Sequence, residues 1–156
     1  MEITKEWLNE KGACSEGVEW FSHSSHSEPL IVLKNLISED HLDWANWLIV
    51  RVMDRMRYLR YAIYAARQVL DIFEKKYPAD NRPRKAIEAA IAVLDNDTAE
   101  TRKTAAAYAA DAYAADAAYA AYADAADAAR KEMKLKILKY GISLLTPTQG
   151  GEGDGK

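Results

Sequence analysis

The side chains best suited to bond-making chemistry lie near the N-terminus: Cys14, the single cysteine, and the three histidines His23, His26 and His41. A cysteine beside a histidine can act as nucleophile and base, and two histidines spaced like His23 and His26 can contribute to a zinc site. Both readings lack support. One thiol and this spacing match no closed four-ligand pattern, and no strand, nucleophile elbow or glycine-rich oxyanion loop accompanies Cys14. Histidines in the Ser-rich stretch Ser22–Glu28 read as solvated loop residues. Gly12 and Gly17 are isolated, so they form no phosphate-binding loop. Glu10, Glu16 and Glu19 are single acids on short amphipathic helices rather than a catalytic carboxylate pair. The sequence therefore assigns no catalytic residue, no metal ligand and no cofactor, and points to a protein that acts by binding.

The elements that would carry such binding are all helical. Thr4 caps a short helix that stops at Gly12, and a second covers Ser15 to Phe21. Pro29 suits the first turn of a third helix through Leu30, Leu33, Leu36 and Ile37. Ser38 is placed to cap a fourth, on which Trp44, Trp47, Leu48, Val52 and Met53 make one apolar face. Asp54 caps a fifth that carries Leu59, Ile63, Ala66, Leu70 and Phe73 on one stripe and ends at Pro78. Pro83 opens a sixth through Ile87, Ile91 and Leu94, broken by Asp95, Asn96 and Asp97. Thr98 then caps a segment that runs to about Tyr140 without Gly or Pro. The fold class is all-α, an elongated bundle of about six to seven helices, with a single domain over residues 1–145 and a disordered Gly-rich tail over 146–156.

The last segment is the most unusual. Between Ala105 and Ala129 roughly two-thirds of the residues are alanine, the best helix former. At about 100° per residue, Tyr108, Tyr119 and Tyr122 fall within about 60° of one another, and Asp116, Asp124 and Asp127 share an arc of about 80°. A third arc holds Ala107, Ala110, Ala114, Ala117, Ala121 and Ala128. Such a stripe admits a neighbouring helix at the short end of the 8–10 Å range, and could equally pair two chains in a homodimer. The tyrosines either seal the adjacent groove or face a partner. A helix from Thr98 to Tyr140 would be roughly 60–65 Å long, against a globule on the order of 40 Å across, so it must protrude, bend or break. With no breaker before Gly141, one continuous long helix displaying an anionic stripe is the expectation. Thr98, Thr101 and Thr104 precede the tract and form no regular ice-binding lattice.

Charge is unevenly distributed. Residues 1–50 carry three lysines against nine acids, residues 51–85 ten Lys and Arg against four acids, and the remainder eight against eleven. The basic middle can be neutralised within one fold, or it can contact nucleic acid through Arg55, Arg57, Arg60 and Arg67, although such contacts normally need a more basic domain. Arg60 and Arg67, on the same side of the fifth helix as Tyr64, could clamp a carboxylate or phosphate, or could pair with aspartates of the alanine tract. Met1–Asn9 does not read as a signal peptide, no apolar run approaches the roughly 20 residues that span a bilayer, and a lone cysteine allows no internal disulfide. The expectation is a cytoplasmic protein without a membrane partner.

The segment Asp80, Arg82, Pro83, Ala86, Ile87, Glu88, Ala89, Ala90, followed by a short polar break and a long helix of repeated Ala-Tyr-Ala-Ala units, resembles the alanine-rich helical immunity proteins of bacterial polymorphic-toxin systems, a group also carried on phages. The stretch Arg60, Tyr61, Ala62, Ile63, Tyr64, Ala65, Ala66 has the same character, and the resemblance covers about residues 40–140. It implies a non-enzymatic, stoichiometric inhibitor of a toxin or defence nuclease and brings no catalytic residues. The partner-binding set is then Tyr108, Asp116, Tyr119, Tyr122, Asp124 and Asp127, with Arg60 and Arg67 as contacts for an anion or acidic partner. The alternative is a phage or mobile-element protein that binds nucleic acid, or a host nucleic-acid defence complex, through its basic middle.

Overall fold

Three of the helix starts, at Thr4, Asp54 and Thr98, are set by a side-chain oxygen that accepts from an amide three residues on. In a computed structural model of the chain, which describes residues 1–113 and 127–147, and side chains over 1–109 and 128–147, Thr4 Oγ1 accepts from the Trp7 amide at 3.1 Å and starts α1, Lys5–Glu10. Gly12, at φ +75°, ends that turn. A left-handed residue is needed there, and glycine adopts it without the Cβ penalty. Next come α2, Ser15–Ser22, and α3, Pro29–Ser38, with proline in the first turn. The expected cap at Ser38 is not formed. Ser38 is the last residue of α3 and its hydroxyl donates to the Asn35 carbonyl at 2.9 Å. The chain then reverses through Asp40 at φ 66° before α4, Leu42–Val52. A serine at a helix end can bond backward as readily as forward, and here the backward carbonyl wins.

Asp54 caps α5, Arg55–Lys76, accepting from the Arg57 amide at 2.9 Å. After Pro78 the chain enters α6, Arg82–Asp95. Thr98 caps α7, Ala99–Tyr113, reciprocally with Thr101: the Thr101 amide donates to Thr98 Oγ1 at 3.1 Å, and the Thr98 amide to Thr101 Oγ1 at 3.0 Å. This is the logic of a capping box, with threonine in the usual place of glutamate. The eighth described helix, α8, is Asp127–Leu145. It runs through Gly141 and stops only before Pro147, beyond the expected end at Tyr140. A mid-helix glycine costs only about 1 kcal/mol, and Gly141 is buried one turn after the buried Leu138, so packing outweighs that cost. The described residues are all-α, with no strand among them. Continuity of the helix between Tyr113 and Asp127 and the Gly-rich tail beyond Pro147 lie outside the described residues.

The residues group into two compact units, Met1–Val52 with Leu138 onward, and Met53–Ile137. In the first, α3 packs against α4 and α1 against α2. Its buried side chains include Ile3, Leu33, Ala45 and Ile49. The Trp7 and Trp47 rings meet edge to face at 6.5 Å, tying α1 to α4. In the second unit α6 packs against both α5 and α7. Ile63, Leu70 and Ile87 form its buried cluster, flanked by Leu59, Ala66, Ala90, Ile91 and Leu94. These are the apolar stripes expected of α5 and α6. On α7 only Thr101 and Ala105 are half-buried over residues 99–109, while Ala107 is exposed, as is Ala128 on α8. At its two described ends the alanine stripe is therefore solvent-facing, and small side chains one turn apart, at 101 and 105, sit against the fold instead.

Ile87→Ala should lower the free energy of unfolding by about 2–5 kcal/mol, whereas Ile72→Ala, at a side chain that is 40% exposed, should change it by no more than about 0.5 kcal/mol. Urea unfolding of the two variants measures the contrast, and equal effects would refute the α5–α6 seam as the core of this unit.

Candidate functional site

The expected partner-binding residues are only partly in view. Tyr108 projects from α7 and is exposed. Asp116, Tyr119, Tyr122 and Asp124 lie outside the described residues, and of Asp127 only the backbone, at the start of α8, is described.

Four arginines of the basic middle of the chain, Arg55, Arg57, Arg82 and Arg84, are paired with carboxylates of the same fold. Arg55 makes a two-pronged contact with Asp97, at 2.6 and 3.0 Å, and Arg102 Nε donates to the same carboxylate at 2.7 Å. Arg84 reaches Glu74 through two bonds of 2.7 and 2.6 Å, joining α6 to α5. Arg57 pairs with Asp54 and Arg82 with Asp80. Bonds donated by Arg55 and then Arg102 hold the Asp97 carboxyl down to about 2, and Arg82, through its guanidinium and its amide, does the same to Asp80. Such exposed pairs add little stability singly, but forked geometry fixes direction. Asp97 binds the first turns of α5 and α7 to the α6–α7 loop. The nucleic-acid reading thus loses Arg55 and Arg57, whose charges are already met. Arg60 and Arg67 are exposed and have no ion-pair partner among the described residues.

The N-terminal cysteine and histidines do not converge. Cys14 lies on an apolar pocket of about 340 Å³ walled by Trp20, Trp44 and Trp47 between the α1–α2 and α3–α4 pairs, with Asp43 its one charged lining residue. His23 and His26 line a separate polar cavity of about 400 Å³ with Asn35 and Glu39. His41 stacks on Trp44 at 4.2 Å and meets Trp20 edge-on at 6.1 Å. Among the described residues no group of three His, Cys, Asp or Glu side chains is placed to hold a metal ion. The tryptophan pocket was missed from sequence. Its signal was available: all four tryptophans fall before residue 48. Helical spacing accounted for Trp44 and Trp47 as core, and nothing local revealed that Trp20 would meet them.

The Asp80–Ala90 segment acquires a structural meaning. Asp80 Oδ1 accepts from the Arg82 amide at 3.1 Å, Pro83 sits in the first turn of α6, Ile87 and Ala89 are buried, and Ala90 packs on the Ile63 cluster. Tyr61, also in the resembling stretch, is 3% exposed, and burial pushes its phenol well above the ordinary range. The sequence model of the Imm-5 like putative immunity protein family matches residues 49–133, more than half of the chain. The chain belongs to this family. Within the Imm-5 like segment lie the last turn of α4, all of α5, α6 and α7, and the first turns of α8, so the match nearly coincides with the second compact unit. The tryptophan pocket falls before it. Neither the curated proteins nor the solved structures contain a match to the chain. Among the described residues no helix is long and apolar enough to cross a membrane.

The Asp97 pairs make a pH-dependent contribution whose sign follows from the depressed carboxyl. Its pKa of about 2 in the fold lies below the ordinary 3.8, so the stabilisation is present above about pH 4 and is lost as pH falls towards about 2. Asp97→Asn should lower the melting temperature by a few degrees at neutral pH, and the gap to the parent should close on acidification. A gap that stays constant to about pH 2 would contradict the assignment.

Proposed function

We propose that the protein is an immunity protein that neutralises a toxin or nuclease by binding it stoichiometrically and covering its active surface. The observation that carries this reading is the family match over residues 49–133. Physical chemistry supports it from a second side. Within that segment Arg55, Arg57, Arg82, Arg84 and Arg102 pair with carboxylates of the same fold, while Arg60 and Arg67 are exposed with no ion-pair partner among the described residues, and Tyr58 and Tyr108 are exposed as well. Tyrosine, tryptophan and arginine are the side chains that most often dominate binding energy at protein interfaces.

The docking surface we assign is the tyrosine and aspartate tract: Tyr108, Asp116, Tyr119, Tyr122, Asp124 and Asp127. An anionic stripe interleaved with tyrosines suits a basic target surface, such as the substrate channel of an enzyme that acts on nucleic acid. Charge complementarity would set the association rate, and tyrosine burial the lifetime. Arg60 and Arg67 would meet acidic groups of the same partner. No step of this mechanism makes or breaks a covalent bond.

A pull-down of the tagged full chain from its native cell, read by mass spectrometry, should recover one protein in molar equivalence. Reversing Asp116, Asp124 and Asp127 to lysine should slow association with that protein by at least about tenfold at low salt, with the difference shrinking as salt rises. Unchanged association would remove this surface. A gel shift with DNA or RNA at low salt that the purified chain produces alone would favour the nucleic-acid alternative instead.

A further inference from the structure

The apolar pocket on the N-terminal unit lies outside the family segment, and its chemistry is selective. Trp20, Trp44 and Trp47 wall a space of about 340 Å³, within the range of ligand sites and ample for a phenylalanine-sized group. Trp20 also borders the polar cavity of about 400 Å³. Its indole N–H donates to Glu39 Oε2 at 2.7 Å, so a carboxylate stands where the apolar and polar spaces share a wall. Asp43 is the charged residue of the apolar lining, and residues 1–50 carry nine acids against three lysines. The Arg51 guanidinium sits 3.9 Å from the Trp47 centroid, so the Trp47 face already holds a cation and an incoming one is left to Glu39.

Gly17 supplies an independent observation. It lies inside α2, where glycine weakens a helix relative to alanine, and its backbone φ is not in the left-handed region. A Cβ there would meet only Cys14 Sγ, at 3.4 Å, an ordinary contact. Neither backbone conformation nor packing requires glycine at this position. What its missing side chain provides is open space in the pocket lining.

We propose that this pocket is a recognition site for a bulky apolar side chain flanked by lysine or arginine on a partner protein, the apolar group seated between Trp20, Trp44 and Trp47 and the cation facing Glu39. The pocket would give the immunity protein a second contact point on its target, separate from the tyrosine and aspartate tract. It rests on the immunity reading only for the identity of that partner. Its chemistry can be tested without one.

The full chain is titrated with the capped peptides Lys-Phe-Lys, Lys-Ala-Lys and Glu-Phe-Glu and with phenethylamine. Two signals are followed: the tryptophan indole N–H resonances and the alkylation rate of Cys14, the single thiol. Lys-Phe-Lys should shift the Trp20, Trp44 and Trp47 signals saturably and slow alkylation. Lys-Ala-Lys and Glu-Phe-Glu should bind at least about tenfold more weakly, a difference of about 1.4 kcal/mol. Gly17→Leu should abolish the shifts while keeping the parent's helical content, and Gly17→Ala should retain most of them. Equal binding of the Phe and Ala peptides, undiminished binding by Gly17→Leu, or no shift with any peptide would overturn the proposal. Phenethylamine binding as tightly as Lys-Phe-Lys would also overturn it, in favour of a free small molecule. Failure here would leave the pull-down of the toxin untouched, so the two readings fall separately.

Discussion

Everything in the family segment depends on the seam between α5 and α6. Ile63, Leu70 and Ile87 are its buried centre, with Leu59, Ala66, Ala90, Ile91 and Leu94 packed around them. The helix that follows has little to offer a core. Alanine buries few atoms, so α7 contributes small contacts at Thr101 and Ala105 and relies on α6 to hold its first turns. High helix propensity keeps such a segment helical, but propensity does not fix where it points. Direction comes from the reciprocal Thr98–Thr101 cap and from Asp97, which grips Arg55 of α5 and Arg102 of α7. A thin hydrophobic seam and a polar clasp thus together fix the first turns of α7, whose sequence leads into the tract proposed for partner binding.

This division of labour accounts for the charge pattern. A basic middle segment looks like an invitation to nucleic acid until its partners are placed, and then Arg55, Arg57, Arg82 and Arg84 are seen paired at the surface with Asp97, Asp54, Asp80 and Glu74. The arginines that remain exposed without an ion-pair partner among the described residues, Arg60 and Arg67, lie two turns apart on one helix.

Much of the fold was legible because helices are written locally. Thr4, Asp54 and Thr98 cap where their side chains can reach an amide three residues on, and Pro29 and Pro83 open helices for the same local reason. The α5 and α6 stripes followed from the 3.6-residue period alone. Ser38 and Gly141 were misread because both have a local alternative that tertiary packing decides: a hydroxyl that bonds backward, and a glycine whose burial outweighs its flexibility. The tryptophan pocket was invisible for a different reason. Trp20 and Trp44 are 24 positions apart, and no periodicity within a helix tells which distant rings will share a cavity. Composition hinted at it only by gathering every tryptophan into the first third of the chain. The resemblance of Asp80–Ala90 to a known family was useful because that short segment sets both the start of α6 and the side of it that meets α5.

The central claim is that the chain acts as a stoichiometric cover rather than as a catalyst. Its most direct test is a titration of the captured toxin's activity with purified protein at concentrations well above the dissociation constant. The account predicts a linear fall to zero with a break at molar equivalence. Complete loss of activity at a small fraction of an equivalent, or full activity at a large excess, would contradict it.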